Sequence, residues 1–118
     1  ITFLGVTFKA GTDDMRESPS LKIIPKLIQK GCLINYYDPT GSKEEFNKSK
    51  NIKYCPSIKE ACKNTDLIII HTEWNEFKQL NFKNIVKKKN FKIYDMRNLY
   101  NPTELKKRNI KYYSVGRQ

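Results

Sequence analysis

The chain has 118 residues, 38% of them apolar and 30% charged, which is material for one domain around one core and too little for two. Charged residues interrupt every apolar run, excluding a membrane-spanning helix, and the opening ITFLGV lacks the basic leader of a secretory signal. Lys and Arg total 23 against 12 Asp and Glu, a net charge of +11 that favours anionic partners but is too diffuse for a nucleic-acid footprint.

Along the chain, the β-branched run at 1–6 reads as a buried strand followed by a polar loop holding Gly11 and Asp13. Ser18 as N-cap and Pro19 as first helical residue open a helix whose Leu21, Ile24, Leu27 and Ile28 share one face until Gly31, with Pro25 predicted to kink it. A second strand spans 33–37 and ends at Asp38-Pro39, a short helix follows around 44–47, and a third strand covers 52–54. Ser57 caps a short helix through Lys63, and LeuIleIleIle at 67–70 is the central strand. A helix within 80–88, a strand at 92–95, a helix from Pro102 to Arg108 and a strand at 111–115 complete the order. Strands alternating with helices predict the α/β class: a doubly wound, mostly parallel sheet of five to six strands with helices on both faces, forming a single domain over 1–118.

In an open α/β sheet, ligands sit beyond the carboxyl ends of the strands where the strand order reverses, here between the first and fourth strands. The loops at 8–18, 71–77 and 96–98 line that crevice. They bring Lys9, Arg16 and Arg97 to one edge, and the helix starting near Ser18 is expected to aim free amides at the same place, a combination suited to a diphosphate. The first loop has no GxGxxG: Phe8 and Lys9 stand between Gly5 and Gly11, so close backbone approach to a pyrophosphate in the usual dinucleotide manner is not provided.

PheLysAlaGlyThrAspAspMetArgGluSerProSerLeu (8–21), TyrAspPro (37–39), ThrGluTrpAsnGluPhe (72–77) and AspMetArgAsnLeuTyr (95–100) together resemble the C-terminal domain of the nucleotide-sugar dehydrogenase family, the UDP-glucose 6-dehydrogenases in particular. The resemblance spans essentially the whole chain. It implies a Rossmann-like, nucleotide-sugar-binding part of an oxidoreductase that converts UDP-glucose to UDP-glucuronate, for polysaccharide biosynthesis, in two NAD-dependent steps. It implies further that the NAD-binding and central dimerising domains lie outside this chain, in a homo-oligomeric enzyme. By the same correspondence Phe8, Lys9 and Arg97 contact the UDP-sugar and Arg16 reaches NAD. The family's catalytic cysteine belongs to a missing Gly-rich motif, so this chain is expected to be inactive alone, with no catalytic residue and no metal ligand of its own.

Other residues have simpler readings. Cys32, Cys55 and Cys62 lack CxxC spacing and any activating neighbour, which suits reduced structural thiols in a cytoplasmic protein. Asp38 reads as an Asp-Pro turn, Asp13 and Asp14 as Asx-turn residues that orient Arg16, and Glu17 as a charge favoured at a helix start. His71 is weighed as a base without an identifiable partner, Trp74 and Phe77 as packing residues, and the lysines at 87–89 as cations ending a helix. A free-standing module binding a phosphorylated ligand without chemistry, the same domain of a UDP-amino-sugar or GDP-mannose dehydrogenase, and a nucleic-acid binder are the alternatives. The last would show steep salt dependence.

Overall fold

The computed structural model describes residues 1–115. Six strands, β1 (Thr2–Leu4), β2 (Ile34–Tyr37), β3 (Ile52–Tyr54), β4 (Leu67–Ile70), β5 (Lys92–Asp95) and β6 (Lys111–Ser114), form one sheet in the order β3-β2-β1-β4-β5-β6. Every adjacent pair is parallel. The helices are α1 (Ser20–Gln29), α2 (Ile58–Cys62), α3 (Phe82–Ile85) and α4 (Pro102–Lys107), with 3-10 turns at Glu44–Phe46 and Asn75–Phe77. None of them is long and apolar enough to cross a membrane.

The strand order follows from which strands are apolar on both sides. Phe3, Leu4, Ile68 and Ile70 are fully buried, so β1 and β4 take the centre, pairing Leu4 with Ile70. Alternate side chains then divide the interior in two. On one face α1 lays Ile24 against Phe3, Ile34, Tyr36 and Ile69. On the other, α2, α3 and α4 contribute Cys62, Phe82 and Leu105 to a core around Leu4, Ile68, Ile70 and Ile93. Each such residue contributes about 1.5–3 kcal/mol on burial. Helical cover thins over the outer strands: Tyr94 and Tyr113, paired in register on β5 and β6, remain exposed on one face.

Several expectations change in detail. β1 ends at Leu4 because Gly5, at φ +79°, turns the chain out of the strand. Ser18 is not a helix cap; its hydroxyl donates to the Val6 carbonyl at 2.6 Å, as does that of Ser20 at 2.7 Å. Pro19 occupies the cap position one residue before the helix, and no side chain caps it. Three of the amides expected to be free are spent: Ser18 N–H bonds the Met15 carbonyl, Leu21 N–H the Ser18 carbonyl and Lys22 N–H the Pro19 carbonyl. Glu17 lies outside the first turn in a left-handed bend at φ 63°. The helix expected within 80–88 shrinks to the single turn of α3, ended by extended backbone at Val86. The lysine run therefore follows no long dipole, and Lys88 instead meets Asp66 at 2.8 Å. Ser57 does cap α2, its hydroxyl accepting from Glu60 N–H at 3.1 Å.

Candidate anion site at the carboxyl rim of the sheet

The reversal of strand order between β1 and β4 opens the rim at their carboxyl ends, and three loops meet there. The first, 5–19, is held at its base. Val6 N–H donates to Asp38 Oδ2 at 2.9 Å, the Val6 carbonyl takes the two serine hydroxyls, and the Thr7 carbonyl accepts from Thr72 Oγ1 at 2.9 Å. Phe8 N–H closes the loop on the Asp14 carbonyl at 3.0 Å. With its base pinned on both sides, the loop presents Phe8 and Lys9 to solvent, Phe8 being 44% exposed.

The second loop follows β4. His71 N–H still bonds the Leu4 carbonyl at 3.0 Å, and beyond it the backbone of Thr72 passes so close to Gly5 that a Cβ there would stand 2.5 Å from Thr72 Cβ. The His71 ring is buried, with Nδ1 2.9 Å from Thr72 Oγ1. Because that hydroxyl spends its proton on Thr7, Nδ1 carries the hydrogen and Nε2 is the unprotonated nitrogen; Nε2 is buried and has no protein partner. Desolvation, then the nearby Arg97 charge, push the His71 pKa down to about 4. A buried imidazole that stays neutral at physiological pH and is sealed from solvent does not act as a base on a bound molecule.

The third loop follows β5 and is organised by Asp95. This fully buried carboxylate accepts from Arg97 N–H at 2.9 Å, Leu99 N–H at 2.7 Å, Tyr100 N–H at 3.1 Å and the Tyr112 hydroxyl at 2.6 Å. The bend it enforces turns the Arg97 side chain back over the rim. There Nε donates to the His71 carbonyl at 2.8 Å, Nη2 donates to the Phe8 carbonyl at 2.8 Å, and Glu73 Oε2 lies 3.1 Å from Nε. One guanidinium thus joins all three loops.

Arg97 therefore meets the Phe8 backbone at the rim, and exposed Lys9 follows Phe8 on the same loop. Arg16, on the same loop, is turned onto an acid of that loop. Its guanidinium forks onto Asp14, Nε to Oδ1 at 3.1 Å and Nη2 to Oδ2 at 3.0 Å, while its side chain stays 89% exposed. Those bonds, and more weakly Lys9, hold the Asp14 carboxyl below the usual carboxylate range. Asp14 Oδ1 also accepts from Arg16 N–H at 2.9 Å, the Asx turn expected of it. Asp38 likewise serves the fold: besides Val6, it accepts Thr40 N–H at 2.9 Å and the Thr40 hydroxyl at 2.6 Å. Phe77 is wholly buried and Trp74 packs against the same core, as expected of packing residues. Cys55 and Cys62 are buried, and burial pushes the Cys62 thiol up to about 12, far from the reactive thiolate range.

Sequence reasoning missed Asp95, Thr72 and Glu73. Asp95 carried a readable signal, an acid closing a buried strand two residues before a loop arginine, which is Asx-turn spacing. Thr72 and Glu73 carried none, because their roles depend on Gly5 and Arg97, distant in sequence. Glu73 also borders an open groove of about 550 Å³ between Gly11, Pro39 and Glu76. Across the groove's edge the Tyr37 hydroxyl donates to Glu76 Oε2 at 3.1 Å, and burial and that carboxylate raise the tyrosine pKa to about 12.

Residues 2–102 match the sequence profile of the UDP-glucose/GDP-mannose dehydrogenase family, UDP binding domain. Over 121 aligned residues the chain is 43% identical to a UDP-glucose 6-dehydrogenase of Rickettsia prowazekii, covering 100% of this chain and 28% of that protein. Among solved structures, a UDP-N-acetyl-mannosamine dehydrogenase from Staphylococcus aureus superposes with a TM-score of 0.71 at 28% identity, over 98% of this chain and 26% of the other. An NDP-N-acetyl-D-galactosaminuronic acid dehydrogenase from Methanosarcina mazei shares the fold with a TM-score of 0.83 at 24% identity, over 98% of this chain and 24% of that one. This chain, which spans little more than a quarter of the length of the curated relatives it matches, belongs to the UDP-glucose/GDP-mannose dehydrogenase family and corresponds to its C-terminal, UDP-binding domain.

Proposed function

We infer that the chain is the nucleotide-sugar-binding part of an NAD-dependent UDP-glucose 6-dehydrogenase, in which oxidation of the C6 alcohol to the carboxylate is completed by parts of the enzyme outside it. The observation that carries this reading is the Arg97 guanidinium, held over the rim beside Phe8 and Lys9 by Asp95. A guanidinium in that position offers planar, paired donors to a diphosphate, Lys9 adds a mobile point charge, and the exposed Phe8 ring supplies an apolar surface. The high identity to UDP-glucose 6-dehydrogenases favours UDP-glucose among the family's substrates.

The residues of this chain do not fit a dinucleotide. The loop after β1 has no glycine cradle, and Asp38, at the end of β2 where a ribose-binding acid would stand, is occupied by Val6 and Thr40. Arg16, exposed and projecting from the same loop, is the one residue assigned a contact with NAD held by another domain. Burial raises the Cys55 and Cys62 thiols away from the reactive thiolate range, which supports a reading in which the oxidation needs the rest of the enzyme.

Calorimetric titration with UDP tests the reading. The wild-type chain binds, and Lys9→Ala and Arg97→Ala each weaken binding at least several-fold; equal heats from all three proteins would remove the assignment. NADH production from UDP-glucose is expected only when the other domains of the enzyme are added, and appreciable turnover by this chain alone would contradict it.

A further inference from the structure

Arg97 is not a free cation waiting for a ligand. Its Nε lies 3.1 Å from Glu73 Oε2, an acid from a different loop, and both side chains are partly open to solvent, at 30% and 39%. The other two ion pairs among the described residues are of a different kind: Arg16–Asp14 spans two positions of one loop and Lys88–Asp66 is remote from the rim. Glu73 also lines the open groove beside Gly11 and Pro39.

We propose that Glu73 is a built-in counter-ion that offsets the Arg97 charge at the rim, so that Glu73 sets how much of that charge a nucleotide phosphate meets. The physical reason is that two anions face one guanidinium charge. Arg97 has already spent Nε on the His71 carbonyl and Nη2 on the Phe8 carbonyl, which fixes the plane of the group and limits the edge it can present. A carboxylate carries a single negative charge, and a diphosphate brings more charge and more acceptor oxygens. A diphosphate that takes the remaining Nη hydrogens therefore shares the Arg97 charge with Glu73, and gains when that carboxylate is neutralised.

The inference rests on the nucleotide-binding reading, yet it predicts a change of opposite sign from a mere structural brace. Removing a brace loosens the site and weakens binding; removing a competitor strengthens it. Glu73→Gln keeps the shape and deletes the charge. It is expected to bind UDP and inorganic pyrophosphate roughly two- to fivefold more tightly than the wild type, the range of a partly exposed ion pair, with no gain for uridine, which has no phosphate. If the wild type binds UDP and Glu73→Gln binds it equally or less tightly, the inference fails and the nucleotide reading survives. A matching gain for uridine also overturns it, because the effect would then not act through phosphate. If neither protein binds UDP or pyrophosphate, both the nucleotide reading and this inference fall together.

Discussion

Arg97 Nη2 donates to the carbonyl of Phe8 at 2.8 Å across 89 positions of sequence, fastening the loop after β5 to the loop after β1. The bond makes one residue both a candidate ligand contact and the clasp that holds its neighbours in place. Substitutions at the rim therefore act on geometry and charge together.

The first consequence concerns Arg97→Lys. Lysine keeps the charge but has one compact head in place of a fork, so it cannot reach His71 and Phe8 at once. Each lost charge-assisted bond is worth about 1.5–3 kcal/mol. UDP affinity is expected to fall by roughly tenfold or more in calorimetry, and retention of wild-type affinity would show that charge alone suffices.

Asp95 should matter more for stability than any exposed acid. Truncation in Asp95→Ala removes one acceptor from three backbone amides, that of Tyr100 buried, and takes from the Tyr112 hydroxyl its 2.6 Å partner. A loss of about 3 kcal/mol or more is expected in urea unfolding. A loss below about 1 kcal/mol would show that water replaces the carboxylate without cost.

His71 makes a pH prediction. The unfolded histidine, with its ordinary pKa of 6.5, takes up a proton that the folded protein refuses until about pH 4. Stability falls as pH drops through that window, by about 3 kcal/mol in total, and this contribution is flat above and below it. Comparing pH profiles of urea unfolding for the wild type and His71→Gln isolates the contribution. Parallel profiles between pH 7 and pH 4 would mean that the ring is not sealed.

Gly5 is predicted to resist even the smallest side chain. At φ +79° an alanine is strained, and its Cβ would stand 2.5 Å from Thr72 Cβ and 2.8 Å from its Oγ1. Thr72 has little room to retreat, since its hydroxyl is bonded to Thr7 and its amide to Leu4. Gly5→Ala should cost about 2 kcal/mol or more, seen as a lowered melting temperature. An unchanged melting temperature would mean the two loops are not held together here.

The contrast between α1 and α3 shows how far local pattern reaches. The helix of 20–29 carries a repeating apolar face, and its extent was readable from Ser18 to Gly31 within two residues at either end. The segment around 80–88 has helical composition, but the backbone turns extended at Val86 and Lys87 N–H goes to the distant Lys63 carbonyl at 2.9 Å, which ends the helix after one turn. In the same way Ser18 has the chemistry of a cap, yet the bare Val6 carbonyl beneath it is the better acceptor for its hydroxyl.

Sequence by itself determined the alternation of strands and helices, the placing of β1 and β4 at the centre, and the three rim loops with their cations, because apolar period and turn chemistry are local properties. Tertiary structure alone decided what each cation holds. Arg16 is retained by an acid two residues away, whereas Arg97 is swung over the rim by Asp95 and anchored to Phe8, His71 and Glu73. Those partners lie tens of residues apart along the chain, and only the crossover of parallel strands brings their carbonyls and carboxylates within reach of one guanidinium.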